Sequence, residues 1–295
     1  EVELTGVNIT AWEADNVSHG DDAREYVVVH NEIPGGLQKT IEERLEMDPT
    51  KIKNLKLTGE INSFDYGYMR GCMTNLQRLN LKEVESKSIP YEAFNNKKTL
   101  IKCVLPDKLV SIGERAFANT ALSGTLMLPE GLIHLDGFQN TNITNIHFPS
   151  TLETIGFQNP AHIEGAFSGC RSLMCELKFP ESLLDIGDYA FANTAIKGNI
   201  VLPRNLEKIG RSAFSGCPNL SGSLVVPEKV KIISQYAFSD CGFNGTLSLP
   251  EGLVEIASSA FANTQFKGEL NIPSSVKVIG SRAFCNTLFS GTLLL

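Results

Sequence analysis

The stretch LPRNLEKIGRSAFSGCPNLSGSLV, from Leu202 to Val225, contains every element of a motif that recurs along the chain. Its proline belongs to a series with intervals of 23, 20, 31, 23, 24, 23 and 23 residues: Pro106, Pro129, Pro149, Pro180, Pro203, Pro227, Pro250 and Pro273. Self-similarity at a period near 23 residues indicates a solenoid, in which each repeat packs on its neighbours. The sequence therefore predicts a repeat protein rather than the two domains that its length alone would suggest.

Alignment of the repeats on their prolines separates inward from outward positions. Residues three and one before each proline are apolar, as Ile200 and Leu202 are before Pro203, whereas the intervening position is mixed. This alternation is typical of a short strand with one buried face. We expect the strands to stack as a parallel sheet whose outward stripe consists of Val104, Met127, His147, Lys178, Val201 and Val225.

A second inward segment follows each proline, at positions three and six, as in Leu206 and Ile209. Because proline cannot donate to a β-ladder, it should end the first strand and turn the chain. An Ala-Phe pair, here Ala213 and Phe214, should then close the coil with its ring at the centre of the cross-section. One turn column is glycine, and we expect a positive φ there before the next strand begins: Gly124, Gly198, Gly222, Gly245, Gly268 and Gly291.

The I-G-x-x-A-F-x-x-C/T frame of Ile209 to Cys217 resembles the BspA-type leucine-rich repeat of surface proteins from Bacteroides and its relatives. The segment from Pro34 to Leu81 resembles the unit that often precedes these repeats, and Leu37, Ile41 and Leu45 have the spacing of a capping helix. The expected fold is a leucine-rich-repeat solenoid, β-rich with short parallel strands, with about 23 residues per repeat and an N-terminal helical cap. Residues 1–50 would form a strand and helix capping segment, and residues 51–295 the solenoid.

The resemblance implies an exported protein that binds macromolecules, located at the cell surface as an outer-membrane lipoprotein or secreted protein, or in the periplasm. It brings no catalytic residues. Positions 1–50 have twelve acidic and three basic residues, and positions 51–295 have 21 and 23, which gives the net charge of -7; nothing in the sequence is basic enough to predict nucleic-acid binding. No apolar run approaches the roughly 18 to 20 residues that span a bilayer.

Neither an enzyme nor a cofactor site is predicted. The sequence contains no nucleotide-binding, zinc-protease, nucleophile-elbow or C-x-x-C motif, and the S-x-x-K of Ser274 to Lys277 fills ordinary repeat positions. His134, His147 and His162 fall in the irregular repeats, yet the core should separate His134 from His147. We therefore predict no metal site.

Seven cysteines in an exported protein raise the question of disulfides. Cys170, Cys217 and Cys241 share one repeat position with threonines, which favours a small buried side chain and a free thiol. Cys217 with Cys241, and Cys170 with Cys175, are the pairs whose positions would allow the alternative.

Two features lead to the functional hypothesis of a non-enzymatic adhesion protein that binds an extracellular or host protein. One is the outward stripe, which suits protein contact. The other is a pair of irregular repeats, the first three residues short and the second eight long, which should make a loop around Phe157, Gln158 and His162 project. A harmless insertion explains the loop equally well.

The alternative is a glycan-binding protein of a polysaccharide-uptake system. Sugar sites need exposed aromatic side chains, and the outward strand positions have no tryptophan or tyrosine, which leaves Trp12, Tyr66 and Tyr68 as candidates. A homodimer through the C-terminal coil, or a natural chain that continues beyond Leu295, is also expected, because Leu293 and Leu295 would otherwise expose core positions.

Overall fold

A computed structural model describes residues 9–11, 25–157 and 164–290 of the chain. The protein is a β-solenoid of about 10 turns with repeats of about 23 residues, as predicted. The strands are, in chain order, β1 Ile9–Ala11, β2 Glu25–Asn31, β3 Asn54–Gly59, β4 Arg78–Val84, β5 Ser88–Ile89, β6 Lys102–Val104, β7 Ser111–Ile112, β8 Ser123–Met127, β9 His134–Leu135, β10 Asn142–His147, β11 Thr154–Ile155, β12 Asp185–Ile186, β13 Lys208–Ile209, β14 Leu224–Val225, β15 Ile232–Ile233, β16 Leu247–Ser248, β17 Glu255–Ile256, β18 Lys267–Gly268, β19 Val278–Ile279 and β20 Leu288–Phe289.

The N-terminal end of the solenoid is covered by a sheet and a short helix. The sheet has the order β1-β2-β3-β4-β6, in which β2 runs parallel to β3 and β1 antiparallel to β2. The helix α1, Leu37–Lys39, continues as a π-helical turn, Thr40–Arg44, and buries Leu37 and Ile41 completely. The capping helix is therefore confirmed as a small element, while the domain boundary near residue 50 stays a prediction.

A second helix, α2 (Ser63–Gly71), lies in the first coils and was not predicted from the apolar spacing; a 3-10 turn at Pro49–Lys51 precedes it. It begins with a capping box, in which the Asn62 side chain accepts from Phe64 N and the Asp65 carboxylate accepts from Asn62 N, both at 2.9 Å. The buried Asp65 carboxylate also accepts from Gly35 N at 2.6 Å and Leu37 N at 3.0 Å. One side chain thus joins the starts of both helices.

We expected the pre-proline strands to form the long parallel sheet, but the longest parallel ladder joins the strands after the prolines. After the prolines, two-residue strands form a six-stranded sheet of order β13-β12-β11-β9-β7-β5 and then a three-stranded one, β15-β17-β19. Before the prolines, the expected long sheet is divided into the N-terminal sheet that ends at β6, the pair β10-β8, a Lys178 to Val201 bridge, the pair β14-β16 and the pair β18-β20.

Phenylalanines form a continuous stack through the coil centres, as the Ala-Phe pairs predict. Neighbouring ring centroids are 5.0 to 5.7 Å apart and the rings are within 22° of parallel. The sequence pattern missed one member, Phe138, because glycine replaces the alanine before it and the turn is shortened. The stack consists of Phe94, Phe117, Phe138, Phe167, Phe191, Phe214, Phe238, Phe261 and Phe284.

Positive φ angles recur in a column two residues after each stacked phenylalanine, which we did not predict. All its members have φ between 56° and 72°: Asn96, Asn119, Asn140, Gly169, Asn193, Gly216, Asp240, Asn263 and Asn286. The restriction of this column to Asn, Asp and Gly was the available signal, since these residues enter the left-handed region at least cost. In the predicted glycine column, Gly124, Gly198, Gly222 and Gly268 have positive φ, Gly245 does not, and Gly291 lies outside the described residues.

The threonine and cysteine column lies inside the coil. Thr194 Oγ1 donates to Phe191 O at 2.9 Å, and Cys217 Sγ in the next coil approaches the same carbonyl at 3.1 Å. The two side chains are 3.3 Å apart, Oγ1 to Sγ. All seven cysteines of the chain lie in the described residues and are free, so neither candidate pair is a disulfide.

We expect Cys170, Cys217 and Cys241 to react slowly in the native protein. Burial raises the pKa of all three thiols, that of Cys217 to about 11. At pH 8 about 0.1% of Cys217 would then be thiolate, against roughly a quarter of an ordinary thiol of pKa about 8.5. Timed alkylation followed by peptide mass spectrometry should label the exposed Cys72 and Cys285 first. Equally fast labelling of the three buried thiols would contradict their position in the core.

Candidate binding surface

The structure places the predicted stripe on the outside of the pre-proline strands. Met127, Val201 and Val225 are 54%, 69% and 64% exposed, His147 and Lys178 are exposed, and Val104 is half-buried. Adjacent members are paired in register where the ladder is intact, as Met127 with His147 and Lys178 with Val201 are. Alternation along each strand explains the arrangement, because the neighbouring side chains enter the core.

Polar side chains flank the stripe on the same outward face. Two positions before five of the six stripe residues stand polar or acidic side chains, Thr125, Asn145, Glu176, Asn199 and Ser223, and Thr246 holds the same repeat position in the next coil. The hydroxyl of Thr246 donates to Ser223 Oγ at 3.1 Å, which links neighbouring coils. The stripe is therefore an apolar surface with hydrogen-bonding groups at its side, held by the backbone of the solenoid.

The apolar members form two groups with charge between them. Val104 and Met127 lie toward the N-terminal end, Val201 and Val225 toward the C-terminal end, and the polar His147 and Lys178 separate them. The separation also coincides with the missing backbone pairing between β10 and the Lys178 segment. Val201 and Val225, each more than 60% exposed, are the more accessible pair.

The predicted binding loop is described only at its two ends. Phe157 is 47% exposed, and its carbonyl accepts from Asp188 N at 3.2 Å, whereas Gln158 and His162 lie outside the described residues. At the other end, Glu164 accepts from Asn140 Nδ2 at 3.5 Å. Although GFQN occurs twice in the sequence, only the first copy contributes its phenylalanine to the central stack.

Two aromatic residues considered for glycan binding do not serve that role. Tyr66 and Tyr68 are buried in the core near the N-terminal end, which removes both as exposed platforms, and Trp12 lies outside the described residues. The apolar spacing in this region predicted no helix, and α2 turns both rings inward. Exposed aromatic rings occur elsewhere, at Phe64, Tyr91 and Tyr236.

No metal-binding group of three or more His, Cys, Asp or Glu side chains occurs in the part of the chain that the structure describes. His134 Nδ1 is hydrogen-bonded to Thr154 Oγ1 at 2.9 Å, and the exposed His147 lies in the outward stripe. His162 is not among the described residues, and neither are Leu293 and Leu295. The homodimer through the C-terminal coil therefore stays a prediction.

Comparison with known protein families identifies the family to which the repeats belong. A family model described as the BspA-type leucine-rich repeat region matches the chain in six copies, over residues 32–136, 132–221 and 161–289. The chain belongs to this family. BspA-type leucine-rich repeat proteins are repeat proteins of the protein-interaction or surface class, and such proteins are typically non-enzymatic.

Solved structures with the leucine-rich repeat fold are similar to this BspA-type chain. A leucine-rich repeat protein from Bacteroides ovatus is 21% identical, with 92% of this chain and 82% of that chain covered and a TM-score of 0.46. The T. pallidum protein TpLRR is 19% identical, with coverage of 86% and 78% and a TM-score of 0.37. A leucine-rich cell surface protein from Faecalibacterium prausnitzii is 16% identical, with coverage of 94% and 86% and a TM-score of 0.35.

No curated protein matches the BspA-type chain. Among its described residues, the structure contains no helix that is both long and apolar enough to cross a bilayer.

Proposed function

We propose that the protein is a non-enzymatic adhesion protein of the cell surface that docks an extracellular or host protein on its outward stripe. The observation that carries this proposal is the exposure of Met127, Val201 and Val225, at 54%, 69% and 64%, on strands whose backbone is fixed by the coil. Large apolar side chains on a rigid surface gain free energy by leaving water, and they lose little conformational entropy on binding. Docking energy would be concentrated at the Val201 and Val225 end.

The surroundings of the stripe also favour a protein partner. An apolar centre bordered by groups such as Thr246 and Ser223 has the composition of a protein interface, with a dry core and a polar rim. Lys178 would help to set the orientation of the partner, because charged groups contribute more to specificity than to affinity, and His147 would add a hydrogen-bonding group beside it. Phe157, with Gln158 and His162 of the same loop, would add a contact outside the sheet.

The proposed adhesion role implies that the protein is exported from the cytoplasm. A protein that adheres to an extracellular partner must lie outside the cytoplasm, as an outer-membrane lipoprotein, a secreted protein or a periplasmic one. Membership of the BspA-type family, which includes surface proteins, supports this location.

The test is binding to a panel of purified extracellular-matrix and host surface proteins by biolayer interferometry. We expect at least one panel member to bind, and Val201→Lys combined with Val225→Lys to weaken that binding at least tenfold, because two cations would enter an apolar contact. The matched control is Ile232→Lys with Val254→Lys, which changes two exposed apolar residues on the post-proline side. Equal loss in both variants, or no binding by any panel member, would exclude the stripe as the docking surface.

A further inference from the structure

The junction between the coil of Pro203 and the coil of Pro227 lacks ladder pairing on two sides. After the prolines, the six-stranded sheet ends at β13 and the three-stranded sheet begins at β15. Before the prolines, Val201 is bridged to the preceding coil, whereas β14 pairs with the following one. Every other pair of neighbouring coils from β5 to β19 is joined by the post-proline ladder. This junction is therefore the weakest one in backbone pairing within that part of the chain.

A regular junction has backbone bonds at both ends of its post-proline strands. Between β12 and β13, Leu184 O accepts from Glu207 N at 2.9 Å and from Lys208 N at 3.2 Å. At the other end of the strands, Ile186 O accepts from Gly210 N at 2.7 Å. The junction between β15 and β17 repeats the same three bonds one period later.

Side chains replace these bonds between β13 and β15. In the described structure, no backbone amide of the next coil donates to Glu207 O or Ile209 O. Ile209 O instead accepts from the Ser234 hydroxyl at 2.6 Å, and Lys229 Nζ donates to Asn205 Oδ1 at 3.2 Å on the exposed surface. Two side-chain bonds thus hold the side of the coil where a neighbouring junction has a ladder.

The phenylalanine side of the same junction is intact. The rings of Phe214 and Phe238 are 5.4 Å apart and within 2° of parallel. The Gly198 to Leu220 bridge joins the two coils at the turn that follows this side. Three backbone bonds of 2.9 Å also join them: Ser212 N to Gln235 O, Phe214 N to Ala237 O and Gly216 N to Ser239 O. The directional contacts across the junction are therefore concentrated along one side of the coil.

We propose that this junction is a hinge, about which the coils from Pro227 onward open away from the coils up to Pro203. We call it the solenoid hinge. Local opening requires least free energy where few backbone bonds must break, which is the side of β13 and β15 and of the adjoining pre-proline strands. The bonded phenylalanine side restricts the motion to rotation about itself, as the fixed edge of a hinge does.

The solenoid hinge divides the outward stripe at its most accessible place. Val201 lies on the coil before the hinge and Val225 on the coil after it, and the pre-proline strands that hold them are not paired with each other. Opening would therefore change the distance between the two side chains. A partner that contacts both would favour one hinge angle and narrow the range of motion. This consequence rests on the proposed function, whereas the hinge itself does not.

Double electron–electron resonance tests the hinge in the free protein. Nitroxide labels are attached to Glu153→Cys and Lys277→Cys, after the exposed Cys72 and Cys285 are replaced with serine, and mass spectrometry checks that each chain carries two labels. Both labelled positions are exposed and directly precede a post-proline strand, β11 and β19. They are five coil steps apart, about 24 Å at a strand separation of roughly 4.8 Å, and the hinge lies between them.

The matched control is the pair Lys87→Cys and Glu207→Cys. These exposed residues directly precede β5 and β13, so they are also five coil steps apart, but every step lies within the six-stranded ladder. We expect the distance distribution of the pair that spans the hinge to be about twice as wide as that of the control pair. Ser234→Ala removes the hydroxyl bond to Ile209 O and should widen only the spanning distribution.

Equal widths for the two label pairs in the parent would overturn the solenoid hinge. So would a Ser234→Ala variant that widens both distributions alike, because the motion would then not be confined to this junction. A wide spanning distribution in a protein that binds no panel member would leave the hinge standing and remove only the proposed adhesion function.

Discussion

Replacing Phe214 with alanine should lower the free energy of unfolding by about 3 to 5 kcal/mol. The ring is completely buried and stacks on both neighbours, Phe191 and Phe238, each with a centroid distance of 5.4 Å. Its amide donates to Ala237 O in the next coil, so the backbone cannot easily collapse into the cavity. Urea denaturation followed by circular dichroism measures the loss.

Phe157→Ala is the matched control for this experiment. Phe157 is the phenylalanine of the second GFQN and is 47% exposed outside the stack, so its truncation should change stability by no more than about 0.5 kcal/mol. A loss below about 1 kcal/mol for Phe214→Ala would contradict the assignment of the stack as the core of each coil.

Asp65→Ala should destabilise the N-terminal end of the solenoid by about 3 kcal/mol or more, because three backbone donors lose a charged acceptor in a buried place. The carboxylate accepts from Gly35 N, Leu37 N and Asn62 N at 2.6, 3.0 and 2.9 Å. Both the start of α2 and the attachment of α1 depend on it. The effect should appear as loss of amide-exchange protection in residues 35–71, measured by hydrogen exchange.

Two variants make the Asp65 experiment specific. Asp65→Asn keeps one acceptor oxygen and should lose clearly less stability than Asp65→Ala. Asp48→Ala removes an exposed cap that accepts from Thr50 N at 2.9 Å, and it should cost about 1 kcal/mol. If all three variants were equally stable, Asp65 would not join the two helices.

Much of the fold could be predicted because every repeat must bury the same set of apolar positions against its neighbours. Ile209 and Phe214 are buried for the same reason as their equivalents in every complete repeat, and a fixed period lets the burial of one position be checked against the others. Phe138 was not predicted as a member of the stack, because its repeat is two residues shorter between the proline and the phenylalanine and it therefore did not align with the others. Its ring is nevertheless stacked between Phe117 and Phe167.

Of the candidate binding surface, only the position of the stripe could be predicted. Alternation along the strand is a local property, and it correctly turned Met127, Val201 and Val225 outward. Tyr66 and Tyr68 could not be placed in the same way, because they belong to no repeat and α2 directs them into the core.

The amino-acid sequence alone was sufficient to predict the repeat length, the buried positions of each repeat and the family. These features depend on apolar side chains at constant spacing along one chain. Contacts between coils settled the remaining features. Backbone pairing between coils determines that the six-stranded ladder follows the prolines, because the hydrogen bonds of a ladder join residues of different coils and are not visible in the burial pattern of one repeat. The pairing of Arg211 with Tyr189, and of Asp65 with the start of α1, likewise arises only when distant residues are stacked in space.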